Sequence, residues 1–344
     1  MKSLELYSKK DIQQLTRKRT NETKIGEDVM VLKSETNWED ELNKSTCKIV
    51  LLGIPEDIGV RANYGRGGAH TAWKPALDSF LSQQSNEFLN GKDICVLGHV
   101  FVDDVMESSN LLNTKNKNDM TELRKLVSIV DERVFEIVTK IISCNKIPIV
   151  VGGGHNNSYP IIKASSQAKK QSINVINCDP HTDFRPLEGR HSGNGFSYAY
   201  QENYLNKYSV FCMHEQYNTA SVLKDFTKNN HRLFYSTYEN VFVRDHQSFS
   251  DALNQNINFV KNDWSGVEID LDAITNVPSS AKTSSGISPV QARQYTYQCG
   301  KQLNALYLHI AEGAPILSHI KADNKTGKLI AYLISDFIKG VMDK

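Results

Sequence analysis

Short apolar runs alternate along the chain with longer segments whose apolar positions recur every three or four residues. The runs are KIVLLG (48–53), DICVLGHV (93–100), IPIVVGGG (147–154), INVINCD (173–179), YSVFCMH (208–214), LFYS (233–236), GVEIDLD (266–272) and ALYLHIAEG (305–313). Each is aliphatic or β-branched and bounded by Gly, Asn, Pro or Asp. Continuous rather than alternating hydrophobicity predicts strands buried on both faces, as in a parallel sheet. Between them lie helical patterns. In 121–144, Leu123, Leu126, Val127, Val130, Val134, Ile137, Val138 and Ile141 form one stripe at i, i+3, i+4 spacing. Segments 157–170, 289–304 and 327–342 are further helices. Strands alternating with helices predict a three-layer α/β/α fold around a mostly parallel sheet of about eight strands.

No repeat or Pro/Gly-rich linker divides the chain. Residues 1–45 read as a polar N-terminal extension, packed on the outside or serving assembly, and 46–344 as one α/β domain. Lys and Arg number 40 against 39 Asp and Glu, a net charge of +1, so no broad basic field exists for nucleic acid or anionic lipid. The charged N-terminus is not a signal peptide, and no apolar run reaches the roughly 18–20 residues that cross a bilayer. Six cysteines lie far apart without C-x-x-C, which predicts free thiols and a reducing, cytoplasmic setting. The expected partner is a small molecule recognised by local charge.

Unusual polar residues follow the apolar runs. His155 follows IPIVVGGG; Asp179, His181 and Asp183 follow INVINC; Asp270 and Asp272 end GVEIDLD; Glu312 ends ALYLHIAE. In an open parallel sheet ligands bind beyond the carboxyl ends of strands, so four runs deliver these groups to one edge. Alternate spacing puts each set on one side of an extended segment. Four carboxylates and two imidazoles together need cations. Cysteine-free, oxygen-rich ligation suits Mn²⁺ or Mg²⁺, and six side chains suit two ions about 3.5–4 Å apart. Taken singly, each cluster has a plainer reading as a turn or an N-cap. The acidic pair Asp103 and Asp104 reads as a loop cap, and His309 as a core histidine supporting the site from behind.

With these motifs in order, GGGH (152–155), DPHTD (179–183) and EIDLD (268–272), the sequence resembles the ureohydrolase family of arginases, agmatinases and formimidoylglutamases, over about 47–315. The resemblance implies an arginase-like fold and two Mn²⁺ per chain. It also implies that Asp179 and Asp270 bridge, that His155 and Asp183 complete one ion, and that His181 and Asp272 complete the other. Pro180 stands where the family has Ala, and Glu268 where it has Ser; neither is a ligand. A homo-oligomer, trimer or hexamer, is compatible with the resemblance.

Within the family the chain looks closest to formimidoylglutamase. IPEDIGVRANYGRGGA (54–69) resembles that subgroup's G-V-R-x-N-x-G-R-x-G-A, Arg185 stands where arginases have Asn, and Phe196 where they have a proton-shuttling His. Ser192 and Asn194 align with amino-acid-binding residues, and Glu312 with the carboxylate that holds the substrate's cationic head. The implied reaction is hydrolysis of N-formimidoyl-L-glutamate to glutamate and formamide, with Asp183 and Glu312 catalytic. Arg185, Arg190 and His191 would meet the substrate's extra carboxylate, with Arg61 and Arg66 behind them. Alternatives are guanidino hydrolysis releasing urea, a one-zinc deacetylase of the same fold, and a catalytically silent metal-binding homologue. His191 is a substitute proton carrier where position 196 is Phe.

Overall fold

A computed structural model describes residues 3–33, 37–319 and 324–344. The eight apolar runs all become strands of one sheet: β2 (Ile49–Gly53), β3 (Ile94–Val100), β4 (Ile147–Val151), β5 (Ile173–Cys178), β6 (Leu205–Met213), β7 (Leu233–Thr237), β8 (Trp264–Asp270) and β9 (Asn304–Ala311), preceded by β1 (Leu4–Leu6). The order is β1-β3-β2-β4-β9-β8-β5-β6-β7. All pairings are parallel except β1 with β3, which is antiparallel.

Every residue of β2 and β5 is buried, which explains their unbroken hydrophobicity: both faces are covered. Ile49 and Leu51 enter one core, and Val50 and Leu52 the other. The first core is closed by helices Trp73–Leu81, Phe249–Val260, Pro289–Gln302 and Lys325–Met342, the second chiefly by Lys117–Ser143 and Ser158–Lys169. This is the three-layer α/β/α arrangement. Helix boundaries carry their own chemistry. Asn116 accepts from the Asn118 and Asp119 N–H groups, and Ser288 forms a capping box with Gln291 ahead of Pro289.

The ninth strand, β1, was not foreseen: three residues are too short to show a period. It pairs Leu4 with Val100 and Leu6 with Gly98. Gly98 has φ +131, and a Cβ there would collide with the Glu5 carbonyl oxygen, so only glycine admits this edge strand. Behind it Ile12, Ile25, Trp38 and Leu42 are buried. Asp103 and Asp104 open the helix Asp103–Asn110 instead of capping a loop. Asp104 takes a two-pronged contact from Arg133, 2.6 Å at each oxygen.

β4, β9, β8 and β5 are the four adjacent central strands, and their carboxyl ends carry His155, Glu312, Asp270 and Asp179 respectively. Sheet order alone therefore gathers residues from distant parts of the chain.

Candidate metal centre

The chain leaves β4 through Gly152 and Gly153, both at positive φ, and turns His155 inward. A Cβ on Gly153 would strike the Asn157 side chain. The fully buried Glu56 braces this turn. Its Oε1 accepts from Gly154 N (3.0 Å), Asn156 Nδ2 (3.2 Å) and Asn157 Nδ2 (2.7 Å), and its Oε2 from Ile58 N (2.7 Å). The sequence reading passed over Glu56, although it stands just beyond the end of β2, where the same strand-end rule applies.

His155 is fully buried, and its Nδ1 lies 3.2, 3.1 and 3.3 Å from one oxygen each of Asp179, Asp183 and Asp270. His181 Nδ1 lies 3.4 Å from Asp179 and 3.3 Å from Asp272. Two groups result, each compact enough to hold an ion: His155, Asp179, Asp183 and Asp270; and Asp179, His181 and Asp272. Asp179 belongs to both, while Asp270 stands in the first and accepts the Asp272 N–H at 2.7 Å. Asp179 is oriented by Asn177 Nδ2 at 3.0 Å and by the His181 N–H at 2.7 Å. Asp183 and Glu312 both adopt left-handed backbone, φ 44 and 64, conformations non-glycine residues hold only where the surroundings enforce them.

The electrostatics call for a cation. Burial pushes Asp272 up to about 6 despite His181 beside it. Burial, then Asp272 and Asp179, push Asp270 well up; burial, then Asp270, do the same to Glu312. Both ring nitrogens of His155 are buried without a hydrogen-bond partner, as is Asp272 Oδ1. The His155 Nδ1 lone pair facing three buried carboxylates fits a divalent ion, which would neutralise the carboxylates and take the imidazole lone pair.

A cavity of about 530 Å³ opens onto this cluster, lined by His181, Asp183, Asp270, Asp272 and Glu312 and further out by Asn63, Arg185, Ser192 and Tyr217. Tyr217 stacks on His181, ring centroids 5.3 Å apart. Arg185 is half exposed and held by Asn63 Oδ1 at 2.7 Å. Ser192 accepts from Asn63 Nδ2 at 3.3 Å. A cavity of about 570 Å³ beside Val277, Leu329 and Tyr332 has none of these carboxylates in its lining.

Arg190, His191 and Asn194 are not brought to the cavity wall. Arg190 is buried against Asp131 (2.9 Å), Asn194 Oδ1 (2.8 Å) and the Asn156 carbonyl (2.8 Å). His191 Nδ1 accepts from the Gly193 N–H at 3.1 Å, and Asn194 Nδ2 donates to the Gly189 carbonyl at 2.8 Å. Their hydrogen-bonding capacity is used in shaping the 185–197 loop. Arg61 binds Asp57 and Ser109, and Arg66 the Ser280 carbonyl, so both pin loops. Phe196 is fully buried, edge-on to His155 at 5.2 Å and stacked on Tyr208 at 4.4 Å; it offers no proton path.

The sequence model of the arginase family matches residues 47–339. The chain belongs to the arginase family. Among its curated relatives are formimidoylglutamases of Streptococcus pyogenes, 25% identical over 299 residues covering 83% of each chain, and of Macrococcus caseolyticus, 26% identical over 83% of this chain and 82% of that one. In fold it is similar to formimidoylglutamase from Bacillus subtilis, with TM-score 0.74, 17% identity and coverage of 95% and 94%. It is also similar to Trypanosoma cruzi formiminoglutamase with Mn²⁺, with TM-score 0.70, 20% identity and coverage of 93% and 99%. The chain is a hydrolase acting on C–N bonds of linear amidines or guanidines.

Proposed function

We propose that the protein hydrolyses N-formimidoyl-L-glutamate to L-glutamate and formamide at a pair of manganese ions. The observation that carries this reading is the single cavity whose lining joins Asp183, Asp270, His181 and Asp272, drawn from both carboxylate–histidine groups, to Glu312 and Arg185. The curated relatives named formimidoylglutamase support the choice of substrate.

His155, Asp179, Asp183 and Asp270 would hold one ion and Asp179, His181 and Asp272 the other, with Asp270 available to bridge. Such ions supply the positive charge that makes water a nucleophile at neutral pH. Glu312 has one oxygen tied to the His155 N–H at 3.0 Å, and its other oxygen is left to receive the planar amidinium. Asp183, on the cavity wall, takes the proton released as water adds to the formimidoyl carbon and passes it to the departing glutamate nitrogen. Arg185 meets a carboxylate of the substrate. With two carboxylates and one amidinium, against one carboxylate, an ammonium and a guanidinium, formimidoylglutamate is two units more negative than arginine, and a cation at the wall favours it.

Among the described residues no helix is long and apolar enough to cross a membrane. All six cysteines are buried and free, which supports a cytoplasmic setting.

The test is product analysis. Manganese-loaded protein is incubated separately with formimidoylglutamate, arginine, agmatine and guanidinobutyrate. Glutamate and formamide from the first, without urea from the others, is the expected result. Urea from a guanidine and no glutamate from formimidoylglutamate overturns the choice of substrate, and no turnover on the whole panel by protein carrying two ions reduces the chain to a metal-binding homologue.

A further inference from the structure

Position 268 departs from the family pattern, and the structure shows what the change brings. Glu268 and Asp270 stand two apart on β8 and so face the same way. Glu268 is fully buried, opposite His309 in the β8–β9 register. Its Oε1 accepts from the Tyr307 hydroxyl at 2.8 Å, and its Oε2 lies 2.6 Å from His309 Nδ1. The Tyr295 hydroxyl holds its backbone carbonyl at 2.8 Å. Thus clamped, Oε2 reaches to 3.4 Å from His155 Nε2, the ring nitrogen turned away from the carboxylate cluster.

We propose that Glu268 is a positioning residue that fixes the ring and tautomer of His155 from behind the metal centre. The proposal rests on the reading of His155 as a ligand of a divalent ion. A neutral imidazole carries one proton. On Nε2 that proton points at the Glu268 carboxylate and frees the Nδ1 lone pair toward Asp179, Asp183 and Asp270. On Nδ1 it would leave a lone pair facing a buried anion, which is repulsive. The approach at 3.4 Å is not an aligned hydrogen bond, since His155 Nε2 has no such partner, but it places a carboxylate oxygen in front of that nitrogen. Phe196 and the His309 ring, both edge-on at 5.2 and 5.8 Å, restrict the imidazole plane. Carboxylates behind metal-binding histidines act in this way elsewhere, and losing one typically weakens metal affinity 10–100-fold.

His155, Glu268 and His309 could also be read as a third ion site. The Glu268 oxygens already serve Tyr307 and His309, so the group reads as closed.

The test uses metal-stripped full-length protein titrated with Mn²⁺ by calorimetry, with bound metal counted by mass spectrometry. Wild type is expected to take two ions. Glu268→Gln and Glu268→Ser are expected to bind one of the two roughly 10–100-fold more weakly and the other unchanged. The paramagnetic resonance signal at limiting metal should shift from a coupled pair toward an isolated ion. Folded variants that bind both ions with wild-type affinity overturn the proposal, as does a third wild-type ion lost in Glu268→Gln. Should the variants not fold, Tyr307→Phe loosens the same carboxylate without changing charge. A weakening of about 2–10-fold supports the proposal, and unchanged affinity overturns it. A wild-type protein that takes up no manganese refutes the metal centre itself.

Discussion

The backbone N–H of His155 donates to Glu312 Oε1 at 3.0 Å, joining residues 157 positions apart in the chain. The bond spans the carboxyl ends of two neighbouring strands, β4 and β9. It orients one oxygen of a left-handed, buried glutamate, and so ties a cavity-lining carboxylate to the histidine at the head of the carboxylate cluster.

Glu312→Gln should lower kcat/KM roughly 10–100-fold, the loss of a charge-assisted hydrogen bond worth about 1.5–3 kcal/mol. Two bound manganese ions should remain. Steady-state kinetics beside metal counting checks both halves; full activity would remove Glu312 from the chemistry.

Asp179 belongs to both ligand groups, whereas Asp272 belongs to one. Asp179→Asn should therefore strip both ions and Asp272→Asn only the one that His181 shares. Metal-to-protein ratios after dialysis read this directly, and equal retention by the two variants would contradict the shared-ligand arrangement.

Arg185 is half exposed, so its contribution is moderated by solvent. Arg185→Ala should raise KM for formimidoylglutamate about tenfold while changing kcat little. Added salt should weaken wild-type binding more than the variant's. A fall in kcat at unchanged KM would assign Arg185 to a different role.

His191 is fully buried, and burial, with Arg124 and Arg185 nearby, brings it down to about 4 from an ordinary 6.5. A depressed folded-state value means that the unfolded chain binds the extra proton between those limits. Stability is then present above about pH 6.5 and is lost as pH falls toward 4. Between pH 7 and 5 the urea midpoint of wild type should drop by the equivalent of roughly 1–2 kcal/mol more than that of His191→Gln. Parallel pH profiles would show that His191 is not the titrating group.

Arg190, His191 and Asn194 lie in one loop with Arg185 and Ser192, and side-chain chemistry alone gives no means of separating them. Burial divides them. Asp131, on the helix Lys117–Ser143, pairs with Arg190 and turns it inward, whereas Asn63 holds Arg185 toward the cavity. Both partners are remote in sequence, and neither carries a local signal. For the same reason Glu56 carries no signal, and Glu268 is legible only as a departure from the family pattern at a non-ligand position. The meaning of each comes from the groups around it, and those arrive largely from other strands and turns.

The sequence by itself determined the strand–helix alternation, the buried character of the sheet and the metal-capable side chains at the strand ends. These depend on hydrophobic periodicity and spacing, which are local properties of the chain. Only the tertiary structure decided which strand ends are neighbours, which loop arginine faces the cavity, and that a tripeptide at the N-terminus completes the sheet edge. Those outcomes depend on parallel pairing between segments as far apart as Ile149 and Leu308, and on which polar groups the packed core leaves room for, and neither is written in any short stretch of sequence.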